Sequence, residues 1–91
     1  MTRSEHALQL HDLALSVVRE RGRPRLVGSA VITEYSYGLL TIRYRADQNS
    51  LDIWFVRKVL TVERWAGKPQ VIRYLAGSWE SDLQDAAKLA A

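Results

Sequence analysis

The chain has 91 residues, 47% apolar and 25% charged, with a formal net charge of +3. That length suits a single domain over residues 1–91, and the composition excludes a disordered tail, a collagen-like repeat and, with no apolar run near about 18 residues, a membrane-spanning helix. There is no cysteine, hence no disulfide framework and no thiolate zinc site.

Residues 4–21 read as a helix. Thr2 or Ser4 can cap it, and Thr2-Arg3-Ser4-Glu5 has capping-box spacing. Ala7, Leu10, Leu13, Ala14, Val17 and Val18 fall on one stripe, which Leu8 and Leu15 widen to an arc of about 200°. One sheet needs less than that, so the helix is expected to meet a second surface: another helix or a second copy of the chain. Gly22-Arg23-Pro24 ends it, glycine as the cap and proline as the stop.

From residue 25 to 75 the period changes to two. Leu26 to Tyr35 reads as one strand, Ser36-Tyr37-Gly38 as a turn and Leu39 to Arg45 as the next strand. Ala46 to Ser50 is a turn, Leu51 to Val56 a third strand and Val59 to Trp65 a fourth. Arg57-Lys58 is a poor hairpin, because neither residue favours positive φ, so 51–65 reads equally as one bent strand. Ala66-Gly67-Lys68-Pro69 is a turn before a fifth strand from Gln70 to Leu75. Gly77-Ser78 introduces a final helix that Ser78 can cap, with Trp79, Leu83, Ala86, Ala87 and Ala90 on one face. The expected fold is α+β: an N-terminal helix, a four- to five-stranded antiparallel meander and a C-terminal helix, both helices on one sheet face.

Catalytic spacing is hard to find. His6 and His11 lie about 140° apart on the helical wheel and cannot chelate one ion, so both are expected to be packed or rim histidines. There is no Gly-x-Ser-x-Gly and no phosphate loop, and Ser16, His11 and Asp12 sit on one short helical stretch with no oxyanion hole. Glu34, Asp52 and Glu63 lie among arginines, where cross-strand ion pairing accounts for them. The chain is expected to be no enzyme, and to need no metal or cofactor.

The non-core sheet face is more informative. With Leu40, Ile42, Tyr44, Leu51, Ile53, Phe55, Leu60, Val62, Ile72 and Tyr74 inward, the outward set is Thr41, Arg43, Arg45, Asp52, Trp54, Thr61, Glu63, Trp65 and Arg73. Ten of the thirteen cations are arginine, and Arg19, Arg21, Arg23 and Arg25 crowd the end of the first helix. Arg21, Arg23, Arg25, Arg43, Arg45, Trp54, Trp65 and Arg73 are therefore the candidate binding residues. Trp and Arg dominate protein interfaces, so the expected function is a protein-interaction module, self-associating or docked on a protein partner. The alternative is a nucleic-acid-binding domain using the arginine-rich turn and the Arg/Trp face, against which Asp52 and Glu63 count. With neither a signal sequence nor cysteine in view, the expected location is the cytoplasm, with no membrane partner.

Overall fold

The computed structural model describes residues 1–90. Helix α1 spans Arg3–Arg21, and Thr2 caps it: its hydroxyl oxygen accepts from the Glu5 N–H at 3.1 Å. Ala7, Leu10, His11, Ala14, Val17 and Val18 are buried along it, the expected stripe with His11 replacing Leu13, which is half-buried. The second surface that the wide arc requires is helix α2, Trp79–Ala90, which packs beside α1 over the same sheet face. The arc is thus satisfied within the chain.

Gly22 is the C-cap of α1, but not by the left-handed geometry usual for glycine. Its φ is −69° and ψ 154°, open to any residue. Glycine is needed for space: a Cβ there would lie 2.3 Å from the Val18 carbonyl oxygen and 2.6 Å from Thr33 Cγ2.

Six strands follow, not four or five: β1 (Arg23–Val27), β2 (Ala30–Tyr37), β3 (Leu40–Arg45), β4 (Ser50–Phe55), β5 (Arg57–Trp65) and β6 (Lys68–Tyr74). They form one antiparallel meander in chain order. The stretch expected as one strand, 26–35, is broken by a Gly28-Ser29 turn, with Gly28 at φ 64°. Tyr37 belongs to β2, and Lys68-Pro69 to β6, because Ala66 and Gly67 alone make that hairpin, both at positive φ. The 51–65 stretch is two strands, and Val56 turns the chain between them at φ 66° while 86% exposed. A β-branched residue in that region is an outlier, and this is why no turn signal shows there.

Two bulges set the faces. Ile53 pairs with Leu60 but Trp54 with Lys58, leaving Val59 as the extra residue. Thr61 pairs with Arg73 but Val62 with Val71, leaving Ile72 as the extra residue. Ile72 was expected inward; it is 56% exposed, and Val71 packs against the core instead, because the bulge adds one residue and swaps the alternation. Both edge strands carry a proline and cations, Arg23-Pro24-Arg25 in β1 and Lys68-Pro69 in β6, a pattern that discourages edge-to-edge pairing.

Leu40, Ile42, Leu51, Ile53, Leu60 and Val62 of the sheet meet Leu10, Val17, Val18, Trp79 and Leu83 in the core. No helix among the described residues is long and apolar enough to cross a membrane.

A polar clip closes the end of this core. His6 Nε2 lies 2.7 Å from Glu80 Oε1, while the Tyr74 hydroxyl donates to Glu80 Oε2 at 2.9 Å and the Gly77 N–H donates to it at 3.2 Å. The Gly77 bond holds the start of α2, where Ser78 was expected to cap. Burial alone would push the Glu80 carboxyl up, but the bonds from His6, Tyr74 and Gly77 outweigh it and hold it below the ordinary carboxylate value. A carboxyl lowered by folding stabilises the fold above its unfolded value and loses that contribution as pH falls through the folded one. Glu80→Gln should therefore cost about 1–2 kcal/mol at neutral pH. In urea unfolding followed against pH, variant and parent should converge below the ordinary carboxylate range.

Candidate functional site

Both helices cover one face of the sheet, so the other is left to its own side chains. The register fixes what stands there. One row crosses all six strands: Arg23, Glu34, Arg43, Asp52, Thr61 and Arg73. A parallel row runs Arg25, Ile32, Arg45, Ser50, Glu63 and Gln70.

Cations and carboxylates alternate along the first row from Arg23 to Asp52, and they pair within it and across to the second. Glu34 sits between two guanidiniums: Arg43 Nε donates to its Oε2 at 2.8 Å, and Arg25 Nε binds its Oε1. Asp52 accepts from the Thr61 hydroxyl at 2.9 Å, with the Lys58 ammonium 3.9 Å away. The Trp54 ring takes a cation from each neighbouring strand, Lys58 Nζ at 5.1 Å and the Arg43 guanidinium carbon at 6.0 Å from its centroid. Ile32, Ser50 and Thr61 are buried on this face although neither helix covers it. Trp65 stands clear at 62% exposure, its indole N–H donating to Glu63 at 3.3 Å.

Of the residues expected to bind, Arg23, Arg25, Arg43, Arg45, Trp54, Trp65 and Arg73 share this face. Arg21 does not: it belongs to α1, and its guanidinium donates to the Leu89 carbonyl near the end of α2. There it meets the partial negative charge of that helix terminus. Two cations escaped the sequence reading. Lys58 faces outward because the Val59 bulge places it opposite Trp54, and Lys68 because the hairpin is only two residues long. The face then carries seven cations, Arg23, Arg25, Arg43, Arg45, Lys58, Lys68 and Arg73, against Glu34, Asp52 and Glu63. Its surplus exceeds the +3 of the whole chain.

Two polar atoms on this face are buried with no hydrogen-bond partner, Arg45 Nε and Trp54 Nε1; among the described side chains they are the only ones. Both are donors.

The histidines lie elsewhere. His6 is on the rim of the polar clip, and buried His11 has Nδ1 3.0 Å from Asp12 Oδ1. Among the described residues no three His, Asp or Glu side chains converge as a metal site.

No protein-family model matches the chain, and no curated protein or solved structure matches it either.

Proposed function

We propose that the protein is a non-enzymatic interaction module that docks on a protein partner through its open sheet face, in the cytoplasm. The observation that carries this reading is the ordering of that face. Arginines and tryptophans stand on a sheet whose other side is packed by both helices; ion pairs to Glu34 hold Arg25 and Arg43 in place, and Arg43 and Lys58 flank the Trp54 ring. Pre-ordered Arg and Trp side chains lose little freedom on binding, which is what makes them interface anchors.

The surplus of positive charge favours a partner of opposite charge over a second copy, since two such faces would set cation against cation. The prolines and cations on β1 and β6 weigh against pairing through the edges. Nucleic acid is the second reading, favoured by the same arginine surplus. It predicts affinity that falls linearly on a log scale with salt. Photocrosslinking from each face in turn, in cells that express the protein, tests the proposal; protein adducts are expected from sheet-face positions alone.

A further inference from the structure

The two unpartnered donors narrow the chemistry of the partner. A buried N–H with no acceptor costs about 1–3 kcal/mol, and native folds keep few of them. Here both lie on the one uncovered face. Arg45 is on β3 opposite Ser50, and Trp54 is on β4 opposite Thr41. Two same-face steps separate those rungs, about 13 Å along the strands. Both nitrogens are shielded from solvent, so an acceptor reaches them only as the side chains over them move aside; an extended peptide presents groups on one side at that same step, so a single strand-like segment spans both positions. Between the donors lies the Arg43–Asp52 rung, whose carboxylate already has Thr61 and Lys58, as Glu34 beside it has Arg25 and Arg43. Arg23 and Arg73 end the same row, and among the described residues neither pairs with a carboxylate. The face therefore has acid-binding capacity left after its own acids are satisfied.

Resting on the docking function above, we propose that this face binds an acidic, extended segment of the partner protein. One carboxylate meets the Arg45 guanidinium, and a carbonyl or carboxylate oxygen accepts from the Trp54 indole N–H. A single strand of nucleic acid fits less well. Stacking needs free aromatic faces, and Lys58 and Arg43 already attend the Trp54 ring, leaving Trp65 as the one open indole on this face.

The three tryptophans make the test site-specific. Trp54 and Trp65 lie on the face, whereas Trp79 Nε1 donates inside the fold to the Leu75 carbonyl at 2.7 Å. The full chain, labelled with nitrogen-15, is titrated with a twelve-residue peptide of alternating Glu and Thr, with its Lys/Thr counterpart, and with a twelve-nucleotide oligo-dT. The Trp54 indole signal should move with the Glu/Thr peptide and stay with the Lys/Thr one, while the Trp79 signal stays throughout. Arg45→Gln should weaken binding about five- to tenfold, and Lys88→Gln on α2, which removes the same charge, should leave it within about twofold. An unmoved Trp54 signal, equal losses for the two variants, or tighter binding of oligo-dT would each overturn the inference. If the peptide fails while sheet-face positions still crosslink to protein in cells, the docking function stands and only its acidic chemistry falls. If both fail, the docking function falls too.

Discussion

Trp79→Ala should cost about 3–5 kcal/mol, the largest loss expected of any single substitution in this chain. Trp79 is 2% exposed at the first position of α2 and is the largest fully buried side chain. It meets the Tyr74 ring edge-on at 6.2 Å, and its indole N–H holds the Leu75 carbonyl at 2.7 Å, between the end of β6 and the helix. Removing it empties the junction where α2 is anchored to the sheet. A chain of this size is stabilised by about 5–14 kcal/mol, so the variant should lose about 15–30 °C in thermal midpoint. Trp79→Phe separates the two contributions: it keeps most of the packing, loses the bond to Leu75, and should cost about half as much or less.

Gly22→Ala should also destabilise, against the usual sign. At φ −69° an alanine is allowed, and replacing glycine at a compatible site ordinarily gains about 0.4–1 kcal/mol by restricting the unfolded chain. Here the new methyl would meet Val18 O at 2.3 Å, Thr33 Cγ2 at 2.6 Å and Val18 Cγ2 at 2.9 Å. The first is backbone in the last turn of α1, whose Val18 carbonyl accepts the Gly22 N–H at 2.8 Å, so relief requires shifting the helix end from β2. A cost of about 1–3 kcal/mol follows, read as a lower urea midpoint with unchanged m. Thr33→Ser in the same chain should rescue only in part, since it removes one of the clashing atoms and leaves the carbonyl.

The class of fold is legible in the sequence because two strong signals agree: the stripe from Ala7 to Val18, and strict alternation through Leu40-Thr41-Ile42-Arg43-Tyr44 and Leu51-Asp52-Ile53-Trp54-Phe55. Both reflect burial on one side, and burial follows in the structure. The features that escape are those that break alternation locally. Gly28-Ser29 is a two-residue turn inside an otherwise apolar run, and the strands it joins are short enough to read as one. Ile72 is displaced by a bulge that adds a residue without any change of composition. Val56 turns the chain in a conformation its side chain disfavours, so propensity points the wrong way.

The candidate face is legible for a related reason. Once Leu40 and Ile42 face inward, Arg43, Arg45 and Trp54 have to share the other side. What alternation does not supply is which charges are spent. Glu34 takes up Arg25 and Arg43, and Asp52 takes up Lys58, so the residues left with free donors are fewer than the arginines on the surface. Arg21 is lost from the set because its position at the end of α1 brings it beside Leu89, a contact between the C-terminal ends of the two helices that no local pattern encodes.

The most direct measurement places a photoreactive benzoylphenylalanine at one position at a time and irradiates the cells that express the protein. Ser36 and Gln70 sit on the open face in β2 and β6, and Gln9 and Gln84 sit exposed on α1 and α2. Discrete protein adducts from Ser36 and Gln70, with none from Gln9 and Gln84, are the result predicted for a docking face on the sheet. Adducts from the helix positions alone, nucleic-acid adducts from the sheet positions, or no adduct from any position would contradict it.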